Sequence, residues 1–312
     1  MIALPTLSIL VPTYRHAAFI EECLDTILEQ TLIEECEVLI GEDGSNDGTR
    51  EICMKYRDSH PDRIRLFLND RSRVIHVNGV PTGRRNLMDL MAAARGRYLA
   101  FCEGDDRWCD TRKLELQVAL LDANPEAVGS YHSTQVIDGQ GQSEGRSFRE
   151  TLPPMFDSHN IASVRSPFHI SSLVCRSIPE LKYLPRWTRS VGSFDMALFG
   201  LLACKGPLLK ANGRMSVYRK HAAGITRHYF HHGSALHLQR MVIWERLGGH
   251  CSHWPAASLQ RVLWDHLRHV VREGGRSRAL RLWALALWKA APHSLMRPLI
   301  QIRLFLQVCR GA

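Results

Sequence analysis

The apolar positions of this chain change period several times along its first hundred residues. Leu7, Ile9, Leu10 and Val11 form a short apolar run that ends at Pro12, too short for a helix, so residues 7–11 read as a strand. Between residues 17 and 30 the apolar positions are Phe19, Ile20, Cys23, Leu24, Ile27 and Leu28, the spacing of one helix face. A second strand follows at residues 37–40 and breaks into an acidic, glycine-containing loop, Glu42-Asp43-Gly44-Ser45-Asn46-Asp47-Gly48-Thr49. A helix through Ile52 and Tyr56, a strand at 64–68, a helix over 86–94 and a strand at 97–102 continue the alternation. The last strand runs into Glu103-Gly104-Asp105-Asp106. Short apolar strands alternating with helices predict an α/β fold, a mostly parallel sheet covered by helices. Ligands of such sheets lie outside the carboxyl ends of the strands, where both acidic loops fall.

Beyond this region the pattern loosens. Residues 139–166 are rich in Gly, Ser, Pro and Arg and read as a flexible connection or lid. After about residue 240 the pattern is helical: Leu259, Val262, Leu263, Leu267, Val270 and Val271 share a face, and Gly274-Gly275 stops it. The chain therefore divides into an α/β domain over residues 1–235 and a helical extension over 236–312.

Composition narrows the class. With 312 residues, 45% of them hydrophobic, the chain can bury a sizeable core and is not a disordered protein. No apolar run reaches the ~18–20 residues that span a bilayer. The N-terminus lacks the basic-then-apolar layout of a signal peptide, so a cytoplasmic location is expected. Nine cysteines without a Cys-x-x-Cys pair fit neither a zinc site nor a secreted disulfide framework and read as reduced thiols. The net charge of +9 is concentrated at one end: from residue 201 onward 18 Lys/Arg face 3 Asp/Glu, which leaves the front part acidic.

Several phosphate and metal motifs are excluded. Asp43-Gly44-Ser45-Asn46-Asp47-Gly48 imitates a calcium loop, but its twelfth position is Met54 and a strand precedes it. Neither Gly-x-Gly-x-x-Gly after the first strand nor a Walker-type loop is present. What remains is an ordered series: Val11-Pro12-Thr13-Tyr14, the Glu42–Thr49 loop, Gly83-Arg84-Arg85-Asn86, residues 98–108 around Glu103-Gly104-Asp105-Asp106, Ser193-Phe194-Asp195, and Tyr218-Arg219-Lys220-His221. In that order the segments resemble the family 2 glycosyltransferases, closely over about residues 5–130 and again at the last two segments.

The resemblance implies a GT-A fold (Rossmann-like, with a mostly parallel sheet flanked by helices) and a nucleotide-sugar donor, most readily a UDP-sugar. Pro12, Thr13 and Tyr14 would line the nucleoside pocket, Asp43 would accept from a pyrimidine N–H, and Arg85 would be the basic donor-site residue. By itself Asp43 also fits a turn-forming residue and Arg85 a solvated helix start. Glu103-Gly104-Asp105 stands where the family has Asp-x-Asp: Asp105 would hold Mg2+ or Mn2+, which can neutralise a leaving diphosphate, and Glu103 would face the ribose or sugar. The Glu in place of Asp is one methylene longer, which leaves its role less defined. Asp106 would support a neighbour or cap a helix. Asp195 would be the catalytic base of an inverting transfer, or else an N-cap, and His221 would close over the metal or diphosphate. The acceptor implied is a surface glycan or polyisoprenyl-linked oligosaccharide. The alternative is a catalytically silent nucleotide-sugar-binding protein with the same fold.

The basic C-terminal part has two readings, a helix pair packed on its own domain or a contact with an anionic membrane at the inner face of the cell membrane. Nucleic acid is not expected, because the aromatic and basic residues form no known module. Arg278, Arg281, Lys289, Arg297, Arg303 and Arg310 accompany Trp283, Trp288, Leu299, Ile302 and Phe305, with no acidic residue after Glu273. A helix pair with a purely structural role ordinarily carries acidic partners on its wet face. The intact chain should therefore sediment with anionic vesicles, and a chain truncated after Gly274 should not. Headgroups contribute about 1 kcal/mol per basic residue, so added salt should release it. Equal sedimentation with neutral vesicles would return the tail to ordinary packing.

Overall fold

The computed structural model describes residues 4–77, 79–149, 151–158, 166–222, 224, 243–244 and 246–251. The tail helices expected after residue 251 lie outside the described residues. Among those described, no helix is long and apolar enough to cross a membrane.

Strands β1 (Leu7–Thr13), β2 (Cys36–Glu42) and β3 (Ile64–Leu68) lie side by side in parallel, and β6 (Tyr98–Phe101) pairs in parallel with the other edge of β1. The intervening helices are α1 (Ile20–Leu28), α2 (Thr49–Ser59) and α3 (Arg84–Ala93), as the apolar spacing predicts. The sheet continues through β11 (Val174–Arg176), which enters antiparallel between β6 and β8 (Gly129–Asp138), and then through β12 (Leu208–Lys220), parallel to β8. Two-residue strands β7 (Arg107–Trp108) and β10 (Met155–Phe156) both pair with β12.

Period-2 alternation divides the central strands between two cores. Leu7, Ile9 and Val11 pack with α1, α2 and helix α4 (Lys113–Asp122), whereas Leu10 faces α3 and helix α5 (Phe194–Ala203). Ser8 is a polar residue in that buried position and is fully satisfied: its hydroxyl donates to Glu37 Oε1 at 2.6 Å and accepts from the Gly96 N–H at 2.8 Å. Burial would raise the Glu37 carboxyl, but hydrogen bonds from Ser8, Arg65 and Arg95 outweigh it and hold the group below its ordinary value.

Three features were not legible in the apolar pattern. The hairpin of β4 (Ile75–Val77) and β5 (Val80–Thr82) forms a separate two-stranded sheet. Within the expected connection 139–166, residues Ser143–Ser147 form β9 on the edge of β8. The turn before it is made by Asp138, whose carboxylate accepts the N–H groups of Gln140 and Gln142, with Gly141 at φ 83°. Finally, Cys204 and Cys251 are joined in a disulfide, against the expectation of nine reduced thiols; 47 residues separate them, so spacing alone does not pair them. Ile243, Trp244 and Leu247 lie in the stretch assigned to the extension and are buried against the α3/α5 core.

Helix α3 is tied to the carboxyl end of β2 by a buried bond, Asn86 Nδ2 to the Gly41 carbonyl at 2.6 Å. A Cβ on Gly41 would fall 1.8 Å from Asn86 Oδ1, so only glycine admits this bond. Gly41→Ala should cost about 1–3 kcal/mol, the range for forced overpacking, read as a lowered urea midpoint with an unchanged slope. An unchanged midpoint would mean that Asn86 moves aside freely.

Candidate functional site

The carboxyl ends of β1, β2 and β6 meet at one edge of the sheet, and each delivers a polar loop. After β6, the Asp106 N–H closes a turn on the Glu103 carbonyl at 2.9 Å, and the Gly104 N–H binds the Pro12 carbonyl at 3.1 Å. A Cβ on Gly104 would stand 2.5 Å from Thr13 Oγ1 and 3.0 Å from His16 Nδ1, so the glycine lets the first and third loops touch.

The three carboxylates of this turn are held in different ways. Desolvation would raise Asp105, but His16 and a hydrogen bond from His221 pull it down to about 2. His221 Nε2 lies 2.9 Å from Asp105 Oδ2, and His16 Nε2 lies 3.6 Å from the same oxygen. Asp106 is buried and serves the fold: it accepts from Ser171 Oγ and from the Arg219 backbone N–H. Burial and the Asp105 charge nevertheless push it well above its ordinary value. Glu103 is raised as well, by desolvation first and then by Asp105, Asp195 and Asp106. The charge of Asp195 thus acts on Glu103 although 92 positions separate them in sequence.

Asp195 lies in the first turn of α5, and Ser193 is the cap: its side chain accepts the Met196 N–H at 3.3 Å. The cap reading of Asp195 is thereby answered by another residue. Desolvation raises Asp195 to about 6, with Arg84 acting to lower it. Arg84, buried at the start of α3, donates to the carbonyls of Thr188, Val191 and Gly192 and so fixes the approach to α5.

The nucleoside-pocket candidates also converge. The Asp43 N–H binds the Thr13 carbonyl at 3.0 Å, and the Asp43 carboxylate accepts from Arg71 Nη1 at 3.0 Å. The Arg71 guanidinium lies 3.7 Å from the centre of the Tyr14 ring, a cation–π contact. Pro12, Thr13, Tyr14, Asp43, Glu103, Gly104, Asp105 and His221 thus share one edge. Arg85 is engaged elsewhere, in an i,i+4 pair with Asp89 at 2.8 Å. Residues that the sequence did not single out include His16, Arg71, His169 and Ser171; no local motif marks them, because each acts through a partner distant in sequence. Arg84 lies within the Gly83-Arg84-Arg85-Asn86 segment, which by itself assigns it no role.

Two groups of potential metal donors are present among the described residues, His16–Asp105–His221 and Glu103–Asp106–His169, each with donor atoms within 4.8 Å of one another. The second is tied up internally, since Ser171 bonds both Asp106 and His169 Nδ1. The first offers imidazole and carboxylate atoms toward a common point and fits a divalent cation.

The profile described as Glycosyl transferase family 2 matches residues 8–177. An uncharacterised protein of Mycobacterium tuberculosis is 32% identical over 263 residues, covering 82% of this chain and 68% of its own. An Escherichia coli protein named UDP-Glc:alpha-D-GlcNAc-diphosphoundecaprenol beta-1,3-glucosyltransferase is 32% identical over 114 residues, 36% of this chain and 40% of its own. The crystal structure of S. aureus TarS 1-349 in complex with UDP-GlcNAc superposes with a TM-score of 0.62 at 18% identity, covering 90% of this chain and 79% of that one. A mannosyltransferase from Pyrobaculum calidifontis with GDP-Man and Mn2+ gives 0.53 at 19% identity, over 98% and 80%. The fold is GT-A, as the resemblance implied.

Asp43 provides a pH test. Desolvation raises its carboxyl to about 6 despite Arg71. Between its ordinary value and about 6 the folded chain keeps a proton that the unfolded chain releases. That proton stabilises the fold at low pH, and the stabilisation is lost as pH rises through about 6. The melting temperature of the parent should accordingly fall relative to Asp43→Asn between about pH 4 and 6, by a few degrees, and the difference should then level off. Parallel melting curves across that window would show an unperturbed Asp43.

Proposed function

The chain belongs to glycosyl transferase family 2, and from that membership we propose that it transfers a sugar, with inversion, from a UDP-sugar to a growing glycan or polyisoprenyl-linked oligosaccharide. The observation that carries the reading is the Asp105–His221 pair at the carboxyl end of β6; Asp195, whose charge acts on Glu103 of the same turn, is relieved of capping by Ser193. Thr13 and Tyr14 line the nucleoside, Asp43 accepts from the pyrimidine N–H, and Glu103 faces the ribose or sugar. Asp105 and His221 hold the Mg2+ or Mn2+ ion, whose charge, when bound, offsets that developing on the departing diphosphate. Asp195 takes the proton of the acceptor hydroxyl on the ring face away from the diphosphate. Its raised pKa makes it a stronger base than an ordinary carboxylate while leaving it mostly ionised at neutral pH.

The UDP donor is supported by the UDP-GlcNAc bound to TarS and by the UDP-Glc in the name of the E. coli relative. The diphosphoundecaprenol of that name supports a lipid-linked acceptor, and the basic tail supports action at the cytoplasmic face of a membrane.

Donor turnover across UDP- and GDP-sugars, with and without Mn2+, tests the reaction, and a chain that binds donors but turns over none would be a silent binding protein. Asp195→Asn should lower transfer by at least ~10²-fold with donor affinity nearly unchanged. A base must be deprotonated, so the parent rate should rise with pH through about 6 and the residual rate of Asp195→Asn should not. Transfer by Asp195→Asn at the parent rate would remove it from the chemistry.

A further inference from the structure

We propose that His16 is a third protein donor to the cation at Asp105, which makes the site a centre of two imidazoles and one carboxylate that selects a first-row transition ion over Mg2+. This rests on the assignment of Asp105 and His221 above and adds a ligand and a metal preference to it.

The first observation is convergence. His16 and His221 both direct Nε2 at Asp105 Oδ2, at 3.6 and 2.9 Å. Metal–ligand bonds of about 2.1 Å place neighbouring donors of an octahedron about 3 Å apart, so these separations suit atoms around a common ion. The His16 nitrogen stands beyond hydrogen-bond range of Oδ2. That spacing suits a donor that meets the carboxylate through a cation and not through a proton.

The second observation is the orientation of the ring. His16 Nδ1 lies 3.2 Å from Oγ1 of the buried Thr13. In a neutral ring the Thr13 hydroxyl can take the Nδ1 proton, which would leave the Nε2 lone pair for a metal, the tautomer that a metal requires. The same pair of atoms is what a Cβ on Gly104 would strike. Glycine between the two acidic residues thus keeps room for this imidazole.

The third observation is a strained backbone. Arg15, immediately before His16, has φ 55°, the sole non-glycine residue with positive φ among those described. Such a conformation is unfavourable for a residue with a Cβ and persists only where the surroundings impose it. Here three consecutive N–H groups are gripped by the loop after β2: Arg15 by Ser45 Oγ at 2.9 Å, His16 by Thr49 Oγ1 at 2.8 Å and Ala17 by Asp47 Oδ2 at 3.2 Å. The Asp-Gly-Ser-Asn-Asp-Gly-Thr segment that imitates a calcium loop turns these groups to holding the turn that presents His16.

Imidazole nitrogen favours first-row transition ions, whereas Mg2+ favours oxygen and water. With UDP present, calorimetry should show the full-length parent binding Mn2+ at least ~10-fold more tightly than Mg2+, and His16→Gln should lose most of that ratio by weakening Mn2+ about 10–100-fold. Electron spin-echo modulation of bound Mn2+ should count two nitrogens in the parent and one in His16→Gln. One nitrogen in the parent, or equal Mn2+ affinity in parent and His16→Gln, would overturn the proposal. Should His16→Gln fail to fold, the nitrogen count of the Mn2+-loaded parent decides alone. The underlying assignment fails separately: if Asp105→Asn binds Mn2+ as the parent does, or the parent binds none, the cation is not held at Asp105.

Discussion

Glu103, Asp105 and Asp106 crowd three carboxylates into four residues at the carboxyl end of β6, and the surrounding structure is arranged to keep them there. Like charges at this spacing cannot all ionise in a desolvated cleft without compensation. The compensation comes from distant elements: His16 from the loop after β1, Ser171 from the turn before β11, Arg219 from β12 and His221 just past its end. The thirteen-residue β12 is held on course by β8 along one edge and by β7, which directly follows the acidic turn. Pairing of Ser216 with Trp108 and Val217 with Arg107 thereby couples the strand that supplies the histidine to the loop that supplies the aspartate.

The Tyr-Arg-x-His segment consequently has two functions in four residues. His221 acts on Asp105, whereas Arg219 is structural: its guanidinium reaches the Asp105 carbonyl and Glu22 of α1, and its plane lies over Phe19. The same division holds at the start of α3, where buried Arg84 supports the approach to α5 and its neighbour Arg85, half-buried, pairs with Asp89.

The cleft also carries a cost at neutral pH. Asp43 and Asp195 are both raised to about 6 by desolvation, so each is ionised above that pH in a place that disfavours the charge. Arg71 and Arg84 reduce the penalty without cancelling it. Functional sites commonly hold this kind of destabilised charge, because the group that resists ionisation is the one that accepts a proton or a hydrogen bond well.

The alternating strands and helices of residues 7–101 were legible because burial on two faces leaves continuous apolar strands, and a single covered face leaves helical spacing. The acidic loops were legible for a related reason: a polar cluster directly after a buried strand can only lie at the sheet's carboxyl edge. Val11-Pro12-Thr13-Tyr14, Asp43, Glu103-Gly104-Asp105 and His221 were named from the resemblance that their segments, taken in order, bear to the family. The tertiary structure decided which of them meet. It showed Ser193, not Asp195, to be the cap of α5, Arg84 to be the buried arginine of its pair, and Cys204 to be joined to Cys251. It also brought His16 to Asp105 across 89 positions. These are pairings between residues far apart in sequence, created when parallel strands bring their loops together, and a local pattern carries no record of such a partner.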